Sequence, residues 1–302
     1  MLTVPVRLSL FCLLLLSLTA CKSKLEKKDL TLEEMQQGDG GKYTPVLPDA
    51  AATPVYLQRN GTDMHLNIYY PEGHMEGDSA PCIVFFFGGG FINVSPEQFA
   101  EQCRHYSSKG YVAIAADYRV ISRNQCTAVE SYMDAKSAVR YIRANAPALG
   151  IAPNHLVVSG GSAGGGLALM CAMEVTGYNN PGDDTTISCR PDAIVAFNPV
   201  VDMEEHTFRI RKFDGAAAAL SPLRHIASTH PPTLIFHGTD DVIAGYDRVK
   251  TYTEKATSMG ADITLQTFEG MEHGFFQLNQ HDGKYYAITL AETDAWLTAL
   301  NW

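Results

Sequence analysis

Short hydrophobic runs alternate with amphipathic segments along most of the chain. The first two runs are joined by Asn60-Gly61, a pair that suits a tight hairpin turn because both positions take positive φ there. The later runs are almost continuously apolar, as expected for strands buried on both faces of a parallel sheet. Counting the hairpin as two strands, the pattern predicts eight, the last six at 82–87, 111–116, 155–160, 193–198, 232–238 and 262–268.

Two segments between these runs carry apolar residues at the three-and-four spacing of a helix face. One spans 130–150, where Gly150 is in a position to end the helix, and the other spans 246–260. The face predicted to be buried in the first consists of Tyr132, Ala135, Val139, Ile142 and Ala146. Alternating strands and helices predict an α/β architecture, with a mostly parallel sheet covered by helices on both faces.

Five glycines crowd around Ser162 in HLVVSGGSAGGGLALMCA, where the run 155–160 gives way to a helical segment. Residues 160–164 fit G-x-S-x-G, the nucleophile elbow, in which a serine lies on a strained turn from a buried strand into a helix. Small neighbours let the strand and the helix approach closely there. The nucleotide-binding patterns G-x-x-x-x-G-K-[ST] and G-x-G-x-x-G do not fit these residues. Ser162 is therefore predicted to be an exposed nucleophile, with an idle serine in a tight packing turn as the alternative.

A serine hydroxyl needs a base to take its proton, and in this architecture an acid and then a histidine follow in chain order. Asp240 and Asp241 both follow the seventh predicted strand, and either could instead cap the next helix. His273 follows the last predicted strand, and His281 is the weaker candidate. Position in this order, rather than residue type, carries the assignment.

A tetrahedral oxyanion also needs backbone donors. One is expected from Ala163, the residue after the nucleophile, and the other from the loop after the third predicted strand. Three successive glycines lie there, within FFFGGGF at 85–91. A flexible turn is the alternative, and the elbow further along the chain favours the donor loop.

The first residues have the pattern of an export signal. Arg7 precedes an apolar run that is too short to span a bilayer and that ends in LTAC. This resembles a bacterial lipoprotein signal, in which residues 1–20 are removed and Cys21 becomes the lipidated N-terminus; plain secretion is the alternative. Residues 21–53 are charged and poor in large apolar residues, which predicts a flexible tether ahead of a folded domain at 54–302.

Charge and cysteine content limit the kinds of partner, crosslink and cofactor that are expected. A formal net charge of −10 without a basic stripe argues against nucleic acid. An oxidising compartment permits disulfides, and Cys103–Cys126 and Cys171–Cys189 are candidate pairs, whereas Cys82 opens a hydrophobic strand as a small buried residue. The cysteines lack zinc-ligand spacing with histidines, and neither a metal nor an organic cofactor is expected.

These motifs resemble those of the α/β-hydrolases, in the esterase and lipase branch related to hormone-sensitive lipase. More narrowly, the chain is similar to secreted bacterial esterases grouped with acetylxylan and feruloyl esterases. The matching segments are FFFGGGF, ADYRV, DAKSAVRYIRANA, GGSAGGG, FNPVVD, PPTLIFHGTDD and EHGFF, and the likeness extends from Pro54 to Trp302. The resemblance implies the eight-stranded α/β-hydrolase fold. About thirty residues lie between FNPVVD and PPTLIF, which predicts a short cap and an open site.

The resemblance also implies a serine carboxylesterase that works through an acyl-enzyme without a cofactor. Carried over by position, Ser162 is the nucleophile, His273 the base, and Asp241, fifth from the histidine of the HG pair, the orienting acid. The substrates implied are short-chain esters, above all acetyl esters, either small or on polysaccharides. The enzyme is expected in the bacterial cell envelope, held to the membrane by its lipid anchor, and nothing in the sequence sets its oligomeric state.

By the same resemblance, Gly89, Gly90 and Ala163 supply the oxyanion donors. One departure is Phe87, which stands where the branch has a histidine that supports the glycines. Catalysis should survive this change because that histidine is not the base, but the loop must be held in another way.

Two other functions are compatible with these residues. A serine peptidase of the prolyl-oligopeptidase type would use the same three side chains, but that family generally carries a propeller domain for which this chain has no room. A non-catalytic lipoprotein that binds glycans would have no use for a complete Ser-Asp-His set.

Overall fold

An eight-stranded sheet lies at the centre of the structure, as the sequence predicts. The computed structural model describes residues 30–37, 43–173 and 175–302, so the predicted signal peptide and Cys21 lie outside the described residues. The strands are β1 (Val55–Arg59), β2 (Thr62–Tyr69), β3 (Ala80–Phe86), β4 (Val112–Ala116), β5 (Ile151–Gly161), β6 (Ala193–Phe197), β7 (Thr233–Gly238) and β8 (Ile263–Phe268). Their order is β1-β2-β4-β3-β5-β6-β7-β8.

The predicted hairpin and the predicted parallel strands are both confirmed. β1 and β2 pair antiparallel around Asn60 (φ 51°) and Gly61 (φ 74°), and β2 is also antiparallel to β4. The remaining neighbours are parallel. Every residue of β4 and β6 is buried, which explains why these two strands are apolar without alternation.

The helices are α1 (Leu32–Gln36), α2 (Ala100–Ser108), α3 (Ile121–Asn124), α4 (Ala128–Ala144), α5 (Ala146–Leu149), α6 (Ala163–Met173), α7 (Thr207–Lys212), α8 (Tyr246–Ser258) and α9 (Lys284–Ala299). The strand order reverses at β3, so right-handed crossovers put α2 on one face of the sheet and α4 and α6 on the other. His105 on α2 lies 2.9 Å from Asp294 on α9, which joins these two helices. Within the described ranges, none of the helices has the length and apolar character needed to cross a membrane.

The long crossover helix α4 ends earlier than the sequence predicts. It begins at a capping box formed by Thr127 and Glu130, and its predicted apolar face is buried. It ends at Ala144, with Asn145 as its C-cap, rather than at Gly150. Pro147 causes the difference, because proline lacks an N–H and its ring obstructs a continuing helix. Gly150, in the left-handed region, instead ends the short α5.

The described part of the predicted tether packs on the domain. Leu47 and Met35 are buried, and the Tyr43 hydroxyl donates to the buried carboxylate of Asp117. The prediction that packed structure starts near Pro54 is therefore wrong for residues 30–37 and 43–53. The apolar anchors stand singly among polar residues, so they produce no periodic pattern.

The two candidate disulfides are also wrong. The cysteines Cys82, Cys103, Cys126, Cys171 and Cys189 are all buried, and none of them forms a disulfide bond. Burial raises the pKa of the Cys103 and Cys171 thiols well above the ordinary value, so they stay protonated. They act as small hydrophobic side chains, as the sequence predicts for Cys82.

Candidate active site

The residues singled out from the sequence come together at one edge of the sheet. The loops that carry them follow β3, β5, β7 and β8, which are parallel strands. Their carboxyl ends open on the same edge, where α/β proteins bind their ligands.

Ser162 lies on a strained turn between β5 and α6. Its φ is 55°, in the left-handed region that glycine prefers. The flanking glycines are needed because a Cβ on Gly160 or Gly164 would overlap the carbonyl oxygen of Phe86, and a Cβ on Gly161 would lie 2.7 Å from the ring of Phe276. Close approach of β5 and α6 to the end of β3 thus requires bare glycines and leaves the serine half-exposed.

His273 joins Ser162 to Asp241. Its Nε2 lies 2.8 Å from Ser162 Oγ, and its Nδ1 lies 2.7 Å from Asp241 Oδ2. Asp240 points to the surface, where it contacts the Thr239 hydroxyl at 3.3 Å. His281 is exposed and its Nε2 lies 2.9 Å from Glu272. The structure thus brings together the three residues that the resemblance selects and leaves both alternatives outside.

The carboxylate of Asp241 is buried and fully supplied with donors. Its Oδ1 accepts the amides of Ile243 and Ala244, both at 2.9 Å. Its Oδ2 faces His273 and also His237 Nε2 at 3.3 Å, and that N–H donates to the Ala244 carbonyl at 2.7 Å. Burial alone would raise the pKa of Asp241, but the hydrogen bonds from His237 and His273 outweigh it and hold the pKa well below its usual range. The acid therefore stays ionised beside the imidazole.

Asn198, at the end of β6, fixes the loop that carries the histidine. Its Oδ1 accepts the Gly274 amide at 3.1 Å, which turns its Nδ2 toward His273 Nε2 at 3.4 Å. The φ of Asn198 is 36°, and this backbone conformation is held by the hydrogen bond that the Asn198 backbone N–H donates to the Phe236 carbonyl at 2.7 Å. Sequence reasoning missed this residue, and the signal available was an asparagine at the carboxyl end of a buried strand, which tolerates left-handed backbone.

Residues 87–91, the glycine loop, lie directly against the serine. A Cβ on Gly88 would be 3.4 Å from Ser162 Cβ. The Gly88 amide donates to Gln98 Oε1 at 2.6 Å, so it is already used. Gly89 and Gly90 have φ of 86° and 64°. Within the described ranges no acceptor is bonded to the amides of Gly89 or Gly90, so both can act as donors to a ligand.

Ala163 completes the set of predicted donors. It is the first residue of α6 and follows Ser162 directly. The first amides of a helix have no partner within the helix, and the positive end of the helix dipole lies there. That Gly89, Gly90 and Ala163 donate to an oxyanion stays a prediction, with which their amides, unbonded among the described residues, agree.

An aromatic stack and a buried lysine hold the glycine loop where the branch has a histidine. The Phe87 ring is stacked on Tyr118 with centroids 4.0 Å apart, and the Tyr118 hydroxyl donates to the Phe87 carbonyl at 2.6 Å. Lys212 Nζ, from α7, donates to the Gly90 carbonyl at 2.9 Å. Burial, aided by the charge of Arg209, lowers the pKa of Lys212 to about 7. The loop is thus held from the core and from α7.

The connection between β6 and β7 forms the predicted short cap. It contains α7 and a single turn at Pro222–Arg224. Arg209 joins the cap to the loop of the acid, donating to the Asp202 carbonyl at 2.7 Å and to the Ile243 carbonyl at 2.6 Å. Val242, beside Asp241, is 81% exposed and Ile243 is 43% exposed, so apolar surface borders the three residues.

The described residues contain no group of three or more His, Cys, Asp or Glu side chains placed to hold a metal ion. The absence of a cofactor from the reaction stays a prediction. The chemistry available from the described side chains is that of a serine activated by a histidine beside an ionised carboxylate.

Several known proteins are similar to this chain. The BD-FAE family model matches residues 66–255. The chain belongs to the BD-FAE family. Its structure is similar to the apo form of esterase 2 from Thermogutta terrifontis, with 38% identity and a TM-score of 0.81 over 83% of this chain and 95% of that chain. Propionate-bound and butyrate-bound structures of that esterase match with 37% identity and a TM-score of 0.79, over 83% of this chain and 95% of those chains.

A curated relative from Mycobacterium tuberculosis (strain ATCC 25618 / H37Rv) is the esterase LipC. It is 25% identical over 224 residues, which cover 65% of this chain and 53% of LipC. The chain thus spans about half the length of that relative. The fold, the family match and the similar proteins together show that this BD-FAE protein is an α/β-hydrolase of the esterase and lipase type.

Proposed function

We propose that the protein is a serine carboxylesterase that cleaves short-chain esters through an acyl-enzyme. The observation that carries the proposal is the position of His273 between Ser162 Oγ at 2.8 Å and Asp241 Oδ2 at 2.7 Å. This geometry lets the imidazole take the hydroxyl proton while the carboxylate keeps it in the right tautomer.

The reaction proceeds in two halves. Ser162 Oγ attacks the ester carbonyl carbon as its proton passes to His273 Nε2, and the resulting oxyanion accepts the amides of Gly89, Gly90 and Ala163. His273 returns the proton to the alcohol oxygen, the C–O bond breaks and an acyl-serine remains. Water then attacks the acyl carbon as His273 takes its proton; as the second oxyanion collapses, the bond from the acyl carbon to Ser162 Oγ breaks, His273 returns the proton to Oγ, and the carboxylic acid is released.

The acyl group is proposed to be short, and acetyl above all. The cap is small, and the bound propionate and butyrate of the Thermogutta esterase are short acids. Acetyl groups on polysaccharides are the proposed natural substrates, which the sequence resemblance supports. A release assay tests this: acetate from acetylated xylan, ferulate from feruloylated arabinoxylan, and nitrophenol from acyl esters of rising length. Highest kcat/KM on long acyl chains would refute the proposal.

Ser162→Ala should abolish turnover and leave the fold intact, because alanine is small enough for the elbow. Loss of a triad member leaves about 10³–10⁴-fold catalysis over water, far below the native rate. Activity, thermal melting and labelling by a fluorophosphonate would be measured together. A folded variant that retains more than a few per cent of activity, or that still labels, would show that Ser162 is not the nucleophile.

We also propose that a lipid on Cys21 holds the enzyme in the bacterial cell envelope. Leu30 is nine residues further along the chain, and its carbonyl accepts from Arg211 in the cap at 3.3 Å. Nine residues reach at most about 30 Å, so the anchor would keep the catalytic edge close to the membrane. Globomycin, which blocks lipoprotein signal cleavage, should cause the precursor to accumulate, and Cys21→Ser should lose membrane attachment. Unchanged attachment of that variant would remove this proposal.

A further inference from the structure

Lys212 is a buried cation that the reaction steps above do not use. Its residue is 4% exposed, and its Nζ donates to the Gly90 carbonyl at 2.9 Å, across 122 positions of the chain. A Cβ on Gly90 would lie 3.3 Å from the same nitrogen, so the ammonium lies against the loop itself. Burying a lysine is costly, as its lowered pKa shows, and the bond to Gly90 offsets part of that cost.

The glycine loop needs such a contact because its own backbone does not fix it. Gly89, Gly90 and Phe91 all have positive φ, and the two glycines have many alternative conformations open to them. Tyr118 and Gln98 hold the start of the loop, at the carbonyl of Phe87 and the amide of Gly88. Lys212 holds Gly90, at the far end of the donor pair, and thereby sets the plane of the peptide bond that follows and the torsion of Gly90 itself.

We infer that Lys212 is a positioning residue that keeps the donor amides of Gly89 and Gly90 aimed at the oxyanion, an inference that rests on the proposed function. Its contact joins the short cap to the catalytic loop, so cap and loop form one unit. Because the oxyanion exists only after attack, misplaced donors should stabilise the transition state less and leave binding of the ester unchanged.

The test compares Lys212→Met with Lys212→Arg and with Lys136→Met. Lys136 is a matched control: it is also buried, and its Nζ donates to the carbonyls of Val175 at 3.3 Å and Tyr178 at 2.7 Å, in another part of the fold. For each variant, kcat and KM on a nitrophenyl ester, inhibition by a trifluoromethyl ketone, and the melting temperature would be measured. The ketone forms an oxyanion adduct on serine, so its affinity depends on the donor amides as well as on the triad, and the triad is unchanged in these variants.

For Lys212→Met, kcat should fall by about ten- to a hundredfold, less than the 10²–10³ lost with a donor itself, and KM should stay within about twofold. Affinity for the ketone should fall by the same factor as kcat. Arginine should restore most of the rate, because its guanidinium still donates. Lys136→Met should lower the melting temperature and leave kcat unchanged.

A kcat for Lys212→Met within about twofold of that of Lys136→Met would overturn the inference and reduce Lys212 to a structural role. If Lys212→Met is unfolded at the assay temperature, Lys212→Gln undergoes the same comparison with the same expected loss. Ser162→Ala separates the two proposals. If that variant keeps its activity, the proposed function fails; if it is inactive while Lys212→Met is fully active, only the inference about Lys212 fails.

Discussion

Replacing Asp241 by asparagine tests the catalytic arrangement at its most constrained point. The change keeps the size of the side chain and converts one of its two oxygens into an NH₂ donor. The carboxylate is surrounded by donors: the amides of Ile243 and Ala244 on Oδ1, and the rings of His273 and His237 on Oδ2. An amide group cannot accept from all of them.

Two orientations of the new amide are available, and each has a defined consequence. With its oxygen toward His273, its NH₂ faces the two backbone amides, and three donor groups meet without an acceptor. With its oxygen toward the backbone amides, both of those bonds survive and its NH₂ faces His273 Nδ1. The second orientation loses fewer hydrogen bonds, so we expect it to prevail. It makes Nδ1 an acceptor and places the imidazole proton on Nε2, facing Ser162, where it cannot take the serine proton.

The expected loss in kcat is therefore about 10⁴, which is the effect of the corresponding change in a serine protease. Folding should be preserved, because the backbone amides keep their acceptor. The assay is ester hydrolysis at neutral pH, with a thermal melt of each variant. Asp240→Asn is the matched control, since that side chain is exposed and, among the described residues, hydrogen-bonds only to Thr239; its kcat should stay within about twofold and its stability within about 0.5 kcal/mol.

Two outcomes would refute this reasoning. A collapse of Asp240→Asn beside a nearly normal Asp241→Asn would mean that the neighbouring carboxylate orients the histidine. Small, equal losses in both variants would mean that the imidazole is oriented by another group and that the proposed triad is incomplete.

Two further predictions concern close packing and a buried charge. Gly164→Ala should cost about 1–3 kcal/mol of stability and reduce kcat, since its Cβ would overlap the Phe86 carbonyl and displace the elbow; thermal melts and kcat of the variant and the native protein would check it, and an unchanged melting temperature with an unchanged kcat would contradict it. The second prediction is that the stability of Lys212→Met, relative to that of the native protein, should be higher at pH 6 than at pH 9. The pKa of Lys212 is about 7 when folded and ordinary when unfolded, so its buried charge opposes folding below pH 7 and this cost diminishes as the pH rises. Thermal melts of both proteins at the two pH values measure this, and a constant difference would contradict it.

The strands and the elbow could be predicted because their physical causes are local. Strands buried on both faces must be apolar throughout, as in β4 and β6, and periodicity detects that directly. The elbow requires glycine at 160 and 164 because β3 approaches so closely, and both glycines lie within the five residues of the motif 160–164. The order of acid and base then followed from the sequence of strands.

What could not be predicted depends on contacts between distant parts of the chain. Asp240 and Asp241 are identical in type, and only the turn of the loop after β7 decides which one meets His273. Lys212 and Asn198 act through partners that are 122 and 75 positions away, and no local pattern marks such a pair. The packing of the N-terminal segment could not be predicted for the same reason, since Leu47 and Met35 are single buried residues in polar surroundings.

The two halves of the site differ in how firmly they are held. The carboxylate of Asp241 has four donors around it, and Asn198 fixes the loop of His273 to the end of β6. Several independent contacts therefore hold the geometry of proton transfer. The glycine loop has left-handed backbone at three successive residues, and the hold on Gly90 comes from the cap. A change at Lys212 should therefore act on the rate through the oxyanion donors while the contacts of His273 persist. Variants at Lys212 that lower kcat should for that reason lower ketone affinity in proportion, whereas variants at Asp241 should disturb proton transfer and leave the donor amides of the glycine loop in place.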